Sequence, residues 1–297
     1  MNLPNFLILG AAKAGTSSLH YYLSQHPQIF MPTLKEPKFF ALEGEELNFQ
    51  NPDQAINQDS INSLSDYQEL FGGVTNEVAI GEASPIYLYS EKAAHRIRRY
   101  IPKTKLIVVL RNPVDRAFSC YTHLRREGYE TLSFEDALQA EENRIKNNWA
   151  HLWHYQEAGF YSKQLKPYLN LFDREQIKIF LFDDLCKDSL SLLQEIYAFL
   201  GVDADFVPDL EKRNVSSMPK SLLLQKLLFR GNFLRDAFLS VFPRRLYRGF
   251  VKHIKKWNMG EKLSLAPCTR LHLQRIYRDD TLELQGLIQK DLSMWLK

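Results

Sequence analysis

Three short apolar runs, Phe6–Leu9, Leu106–Leu110 and Ile177–Phe182, are each followed by a segment of helical character, and a weaker run covers Ala79–Glu82. Continuous apolar runs of this length suit strands buried on both faces. Strand and helix in repetition predict a parallel sheet covered by helices. Thr16–His26 reads as the first helix. Phe160–Phe172 and Ser189–Leu200 place apolar residues at i, i+3 and i+4 and predict helices packed on the sheet, the second ending at Gly201. Ser133–Asn148 opens on S-F-E-D, a capping serine followed by acids, and predicts an exposed helix. Leu42–Thr75 is polar and is expected to be irregular with short helices. No repeat or low-complexity linker divides the chain, so one α/β domain with a central parallel sheet is expected over residues 1–297.

Composition narrows the class without deciding it. The chain has 297 residues, 45% hydrophobic and 25% charged, the balance of an ordinary globular protein. A net charge of +3 is no nucleic-acid signature. Cys120, Cys186 and Cys268 lie far apart without metal-ligand spacing and are expected to be reduced, mostly buried thiols, with no metal bound. The first apolar run is short and lacks a basic leader, and no run approaches the ~20 apolar residues of a membrane span, so a cytoplasmic location is expected. Charge placement says more than its sum. Lys220–Lys262 holds eleven Lys or Arg against two acids, a local +9, interleaved with leucine and aromatic residues. It reads as a basic amphipathic helical insertion that contacts an anionic membrane surface peripherally, clamps an anionic glycan, or covers the sheet with a solvated face.

The chemistry begins at the first strand. Phe6–Leu9 runs into G-A-A-K-A-G-T-S-S and then a helix, which leaves free backbone N–H groups at a helix N-terminus, where an anion is favoured. The spacing Gly10-x-x-x-x-Gly15-Thr16-Ser17 mimics the Walker loop, but Thr16 stands where a nucleotide triphosphatase has its lysine, and Lys13 sits inside the loop instead. A second anion site is readable at L-I-V-V-L-R-N-P. Arg111 caps the carboxyl end of the strand, Asn112 can act as helix N-cap, Pro113 suits the first helical position, and Ser119 lies about two turns on. Ligands of parallel sheets bind outside the carboxyl ends of strands, so Arg111 is expected at the edge that carries the Lys13 loop.

Two phosphate sites on neighbouring strand ends call for a ligand with two separated phosphates. Here the sequence resembles the sulfotransferases that use 3′-phosphoadenosine 5′-phosphosulfate (PAPS), especially the carbohydrate and heparan-sulfate-type branch and its bacterial relatives. The resemblance rests on Leu9–Ser18, on Arg111 with Ser119 eight residues later, and on K-E-P-K-F-F at Lys35–Phe40. It continues through E-A-S-P at Glu82–Pro85, G-F-Y-S at Gly159–Ser162, I-F-L-F-D-D-L at Ile179–Leu185, N-V-S-S-M-P at Asn214–Pro219 and a terminal helix pair ending in Trp295. It implies a P-loop-NTPase-like sulfotransferase fold and a metal-free reaction whose product is adenosine 3′,5′-bisphosphate. It also implies that Lys13, Ala14, Gly15, Thr16, Ser17 and Ser18 bind the 5′-phosphosulfate, Lys13 supporting the leaving phosphate, while Arg111 and Ser119 hold the 3′-phosphate. Glu36 aligns with the catalytic base, against the plain alternative of an ion pair with Lys35 or Lys38. Arg213 and Ser217, with Asn214, Ser216 and Lys220, are candidates to close over the nucleotide.

His20 reads as structural, His123 as a rival base, Arg116 as an ion-pair partner, and Tyr161 as either an adenine or cleft residue or ordinary core. Where heparan-type relatives carry a lysine in E-K-T-P, this chain has Ala83. The acceptor implied is the hydroxyl of a carbohydrate or glycolipid, or an amine. Two other readings stay open: an ATP- or GTP-dependent kinase, with Asp183 and Asp184 ending a Walker-B-like strand, and a non-catalytic nucleotide-binding relative.

Overall fold

A computed structural model describes residues 3–210 and 263–297. Five strands, β1 (Phe6–Gly10), β2 (Ile29–Phe30), β3 (Ala79–Ala83), β4 (Lys105–Leu110) and β5 (Ile177–Leu181), form one sheet in the order β2-β3-β1-β4-β5. All four pairings are parallel. The apolar runs therefore fall on strands as expected, and β1, buried along its whole length, lies at the centre. β2 was not legible: two residues are too few to leave a period.

The β1–β4 ladder slips at Gly10, where the chain leaves the sheet for the basic loop. Glycine is required there, because φ is 150° and a Cβ would stand 2.9 Å from Leu88 Cβ and 3.0 Å from the Pro85 carbonyl. The neighbouring strand makes room in the same way. Gly81 of β3 is in register with Phe6 of β1, and a Cβ at Gly81 would meet the Phe6 ring at 2.3 Å.

Helices Thr16–Leu23, Ala93–Tyr100, Pro113–Arg126, Tyr161–Leu171 and Ser189–Leu200 follow the strands. The first stops before Pro27 instead of reaching His26, since the residue before a proline is pushed out of the helical region. Ser189–Leu200 ends as expected on Gly201 in the left-handed region, φ 82°. Ser133–Asn148 departs from expectation. Ser133 does cap a helix, but the segment breaks at Ala140 into Phe134–Gln139 and Glu141–Lys146. The cause is that Glu141 turns inward to accept the backbone N–H groups of Gln156 and Glu157, both at 2.7 Å. Arg144 also turns inward onto buried Glu130, at 2.6 and 3.1 Å. Of the expected terminal helix pair, the described residues hold the helix Pro267–Ile288, followed by the turn Ser293–Leu296 that buries Trp295. Of the cysteines only Cys120 is buried; Cys186 and Cys268 are exposed, against expectation, because they sit on outer helix faces.

Pro267–Ile288 fixes the Gly159–Ser162 turn in place. Asp280 accepts the backbone N–H and hydroxyl of Ser162, Glu283 accepts the same hydroxyl at 2.8 Å, and Tyr277 donates to the Gln156 carbonyl at 2.9 Å. Gly159 is glycine because a Cβ would lie 2.6 Å from the Tyr277 ring. A second buried cluster, with Cys120, Phe134, Trp153, Tyr155 and Tyr277, forms under Pro113–Arg126.

Two glycine substitutions separate packing from backbone entropy. Gly81→Ala is expected to lower unfolding free energy by about 1–3 kcal/mol through overpacking on Phe6. Gly286→Ala, in the exposed interior of the long helix with no atom within 4 Å of the added carbon, is expected to raise it by about 0.5–1 kcal/mol. Urea denaturation of the two variants checks both signs.

Candidate functional site: the basic loop and the end of strand β4

The loop after β1 turns through two left-handed residues, Lys13 at φ 68° and Gly15 at φ 87°. Gly15 is the N-cap of Thr16–Leu23 and no side chain caps this helix, which leaves its first N–H groups for an anion. The loop is sealed from behind: a Cβ at Gly15 would stand 2.7 Å from Leu185 and 3.1 Å from the Phe182 ring. Ala14 and Thr16 are buried in this packing, Ser18 is half-buried and Ser17 is exposed.

Arg111 reaches the same loop. Its Nη1 donates to the Lys13 carbonyl at 3.0 Å, and its guanidinium lies 4.6 Å from the centroid of the Phe182 ring. Its own carbonyl accepts the Tyr161 hydroxyl at 2.9 Å, so Tyr161 is a fully buried core residue that anchors Arg111. Burial pushes the Arg111 guanidinium below its usual range, with Asp115 pulling the other way. Asn112 caps Pro113–Arg126 as expected, accepting from Val114 N at 3.0 Å and Asp115 N at 3.4 Å, with Pro113 first in the helix. Half-buried Ser119 follows on that helix. Arg116 is not the expected ion-pair partner. It is buried among tyrosines and donates to the Tyr155 carbonyl, because the helix turns it into the second core cluster and away from solvent.

Glu36 sits in a turn that is bent twice: Glu36 and Lys38 both have φ 63°. Its carboxylate pairs with Lys35, its carbonyl accepts Lys38 Nζ at 2.9 Å, and Lys38 N donates to Ser84 Oγ at 3.0 Å. Burial pushes the Glu36 carboxyl up, but the Lys35 and Lys38 cations more than offset it and hold it below the usual carboxylate range. Burial pushes the Lys13 ammonium down, and its charged neighbours include Arg126, Glu36 and Lys35. His123 belongs to the same group. Burial first, then Lys13 and Arg126, push it down to about 3, and its Nδ1 lies 3.0 Å from Arg126 Nη2. His20, also lowered by burial, lies near Lys35 and Glu36.

Behind the turn lies a carboxylate that sequence reading quoted only within a motif. Glu82, at the carboxyl end of β3, is 1% exposed and accepts Tyr67 OH at 3.2 Å and Ser84 OH at 2.9 Å. Burial pushes it up to about 7, hydrogen bonds from Tyr87, Ser84 and Tyr67 pull it down, and nearby Glu36 pushes it up again. Glu82, Ser84 and the Lys38 N–H thus form one chain that fixes the Glu36 turn to the sheet. Phe182 and Arg126 were missed as well. The apolar residue ending a strand beside an arginine was the signal for Phe182; nothing in the sequence marked Arg126.

Two hollows share His151 as a lining residue, and the smaller is lined by Glu36. One, of about 260 Å³, is lined by Lys35, Glu36, Lys38, Asp59, His151 and Trp153. The other, of about 730 Å³, is lined by His151 on one wall and by the 41–49, 86–92 and 145–167 segments elsewhere. Arg213, Asn214, Ser216, Ser217, Lys220 and the basic 220–262 segment lie outside the described residues. Among the described residues no His, Cys, Asp and Glu side chains gather as a metal site, and no helix is long and apolar enough to cross a membrane.

A parallel α/β sheet with a phosphate-loop-like turn after its first strand defines the P-loop-like fold class. Within it, this chain belongs to the sulfotransferase family, whose model matches residues 4–206. The crystal structure of a sulfotransferase from Alicyclobacillus acidocaldarius is 36% identical and superposes over all of both chains with a TM-score of 0.80. Bifunctional heparan sulfate N-deacetylase/N-sulfotransferase 3 of Homo sapiens is 28% identical over 99% of this chain. Bifunctional heparan sulfate N-deacetylase/N-sulfotransferase 4 of Mus musculus is 31% identical over 100% of it. The chain covers only 31% of the length of each of these two.

Glu82 gives the site a pH signature. A carboxyl whose folded pKa is raised contributes stability that is full below its unfolded value, near 4.5, and is lost as pH climbs through about 7. The shift corresponds to about 3 kcal/mol. Glu82→Gln lacks this loss, so its stability relative to the parent should rise by up to that amount between pH 4.5 and 8. Denaturant titrations across that range measure it, and parallel curves for the two proteins would remove the assignment.

Proposed function

We propose that this protein transfers a sulfuryl group from PAPS to an acceptor hydroxyl, as one sulfotransferase domain spanning residues 1–297. The observation that carries the reading is the 3.0 Å bond from Arg111 Nη1 to the Lys13 carbonyl, which puts two cationic phosphate motifs, 98 residues apart in sequence, at one strand edge. The open N-terminus of Thr16–Leu23 and Lys13 suit the 5′-phosphosulfate. Arg111 and Ser119 suit the 3′-phosphate, the arginine with a fork matched to phosphate oxygens.

In this reading the acceptor oxygen attacks sulfur in line, the new O–S bond forms as the S–O bond to the 5′-phosphate breaks, and adenosine 3′,5′-bisphosphate leaves. Lys13 faces the charge that grows on the bridging oxygen. The acceptor proton passes to Glu36, whose turn is held by Lys38 and the Glu82–Ser84 chain. His123 stays neutral beside Lys13 and Arg126, which suits it to hydrogen bonding better than to taking the proton. The kinase reading is disfavoured by Thr16 at the position of the triphosphatase lysine.

Lys13→Ala and Glu36→Gln should each lower kcat about 10²–10³-fold with folding intact. Arg111→Ala should instead weaken adenosine 3′,5′-bisphosphate binding about 10–100-fold. Single-turnover assays with labelled PAPS and calorimetric titration with the bisphosphate and with ATP make the test. Full activity in Glu36→Gln removes the base assignment, and tighter binding of ATP than of the bisphosphate removes the donor.

A further inference from the structure

The larger hollow carries information about the acceptor. At about 730 Å³ it is in the range of small-molecule sites. Its walls include the rings of Phe49, Tyr89, Trp149 and Phe160, which offer flat apolar faces to a ring-shaped ligand. Its charges are mostly negative: Glu45, Glu46, Glu91 and Glu157 against Lys92 and Lys163. Both lysines are already engaged by those carboxylates, Lys92 with Glu45 at 2.7 Å and Lys163 with Glu157 at 3.3 Å. Glu45 and Glu157 are engaged in turn, Glu45 also by Arg96 at 2.6 Å, which leaves Glu46 and Glu91 without an ion pair among the described residues. A polyanionic chain would meet like charge at these two, whereas hydroxyl groups would find acceptors there.

The two histidines of the wall differ. His154 is used up by the protein: Nδ1 lies 2.8 Å from Tyr89 OH and Nε2 is 2.9 Å from the Trp149 carbonyl. His151 is 8% exposed, and its Nδ1 has no hydrogen-bond partner among the described residues. A buried polar atom without a partner is costly unless something else satisfies it. His151 is the residue common to the linings of both hollows, and the smaller of them is lined by Glu36.

We infer that the acceptor is an uncharged, ring-bearing alcohol of the sugar or glycoside type, seated in the aromatic cleft with its reactive hydroxyl led past His151 to Glu36. The inference rests on the sulfotransfer reading above and narrows it. By charge it disfavours a polyanionic acceptor such as the heparan sulfate of the relatives' names, through Glu46 and Glu91 and through the engaged lysines.

A matched acceptor series tests it on the full chain with saturating PAPS: phenyl β-glucoside, phenyl β-glucuronide and the phenyl 2-amino-2-deoxyglucoside. The neutral glycoside should exceed the glucuronide in kcat/KM by at least about tenfold, a difference of about 1.4 kcal/mol in transition-state binding, and the amino sugar should be sulfated on a hydroxyl. Equal or better use of the glucuronide, or preferred sulfation of the amine, overturns the inference. Glu46→Lys with Glu91→Lys, both exposed positions, should shrink the neutral-to-anionic ratio at least fivefold while leaving bisphosphate affinity unchanged; an unchanged ratio counts against the cleft. His151→Ala should raise acceptor KM and leave donor KM alone, with partial rescue by His151→Asn; an unaltered acceptor KM removes His151 from the path. If the bisphosphate binds but no member of the series is sulfated, the acceptor inference alone falls. If the bisphosphate does not bind, the donor reading falls and takes this one with it.

Discussion

The hydrogen bond from Arg111 to the Lys13 carbonyl is the constraint around which the basic loop is arranged. A loop with a left-handed lysine and a left-handed glycine has little reason of its own to hold one shape. It is held because β4 delivers a guanidinium to its backbone, Phe182 stacks under that guanidinium, and Leu185 and Phe182 leave no space behind Gly15. Tyr161 completes the arrangement by fixing the Arg111 carbonyl, and the Gly159–Ser162 turn that carries Tyr161 is fixed in its turn by Asp280, Glu283 and Tyr277 of the long helix. Residues from β1 to the C-terminal helix thus bear on one small volume.

The Glu36 turn is organised differently. Glu36 belongs to no strand or long helix, and its turn contains two backbone conformations unfavourable to residues with a Cβ. Tertiary bonds maintain it: Lys38 N to Ser84, Ser84 to Glu82, Lys38 Nζ to the Glu36 carbonyl. The ion pair with Lys35 and a catalytic role are compatible, since the same cation that pairs with the carboxylate also keeps it ionised.

Much of the basic-loop side was legible in the sequence because its signals are local. Three of the five strands fall on the three apolar runs and a fourth on the weaker run at Ala79–Glu82, Asn112-Pro113 is a helix start, and Gly10, Gly15 and Gly201 stand where backbone geometry requires them. What the sequence did not reveal is long-range. The break at Ala140 depends on Glu141 finding amides fifteen and sixteen residues away. Arg116 looked like a surface cation until its helix was seen to face the second core cluster. Glu82 read as a strand residue, and only the three hydroxyls gathered around it show why a carboxylate is tolerated there. His151 carried no signal at all, since a sequence cannot show that its Nδ1 is buried without a hydrogen-bond partner among the described residues.

The seal behind Gly15 has a consequence for how such a protein can diversify. The basic loop is built from strand ends that pack against each other, so few of its residues can change alone. The aromatic cleft is assembled from three segments (41–49, 86–92 and 145–167) outside the sheet. Under the proposed function, exchanging those segments would retool what the molecule decorates without rebuilding the engine that supplies the group, a separation that lets one inherited scaffold explore many targets.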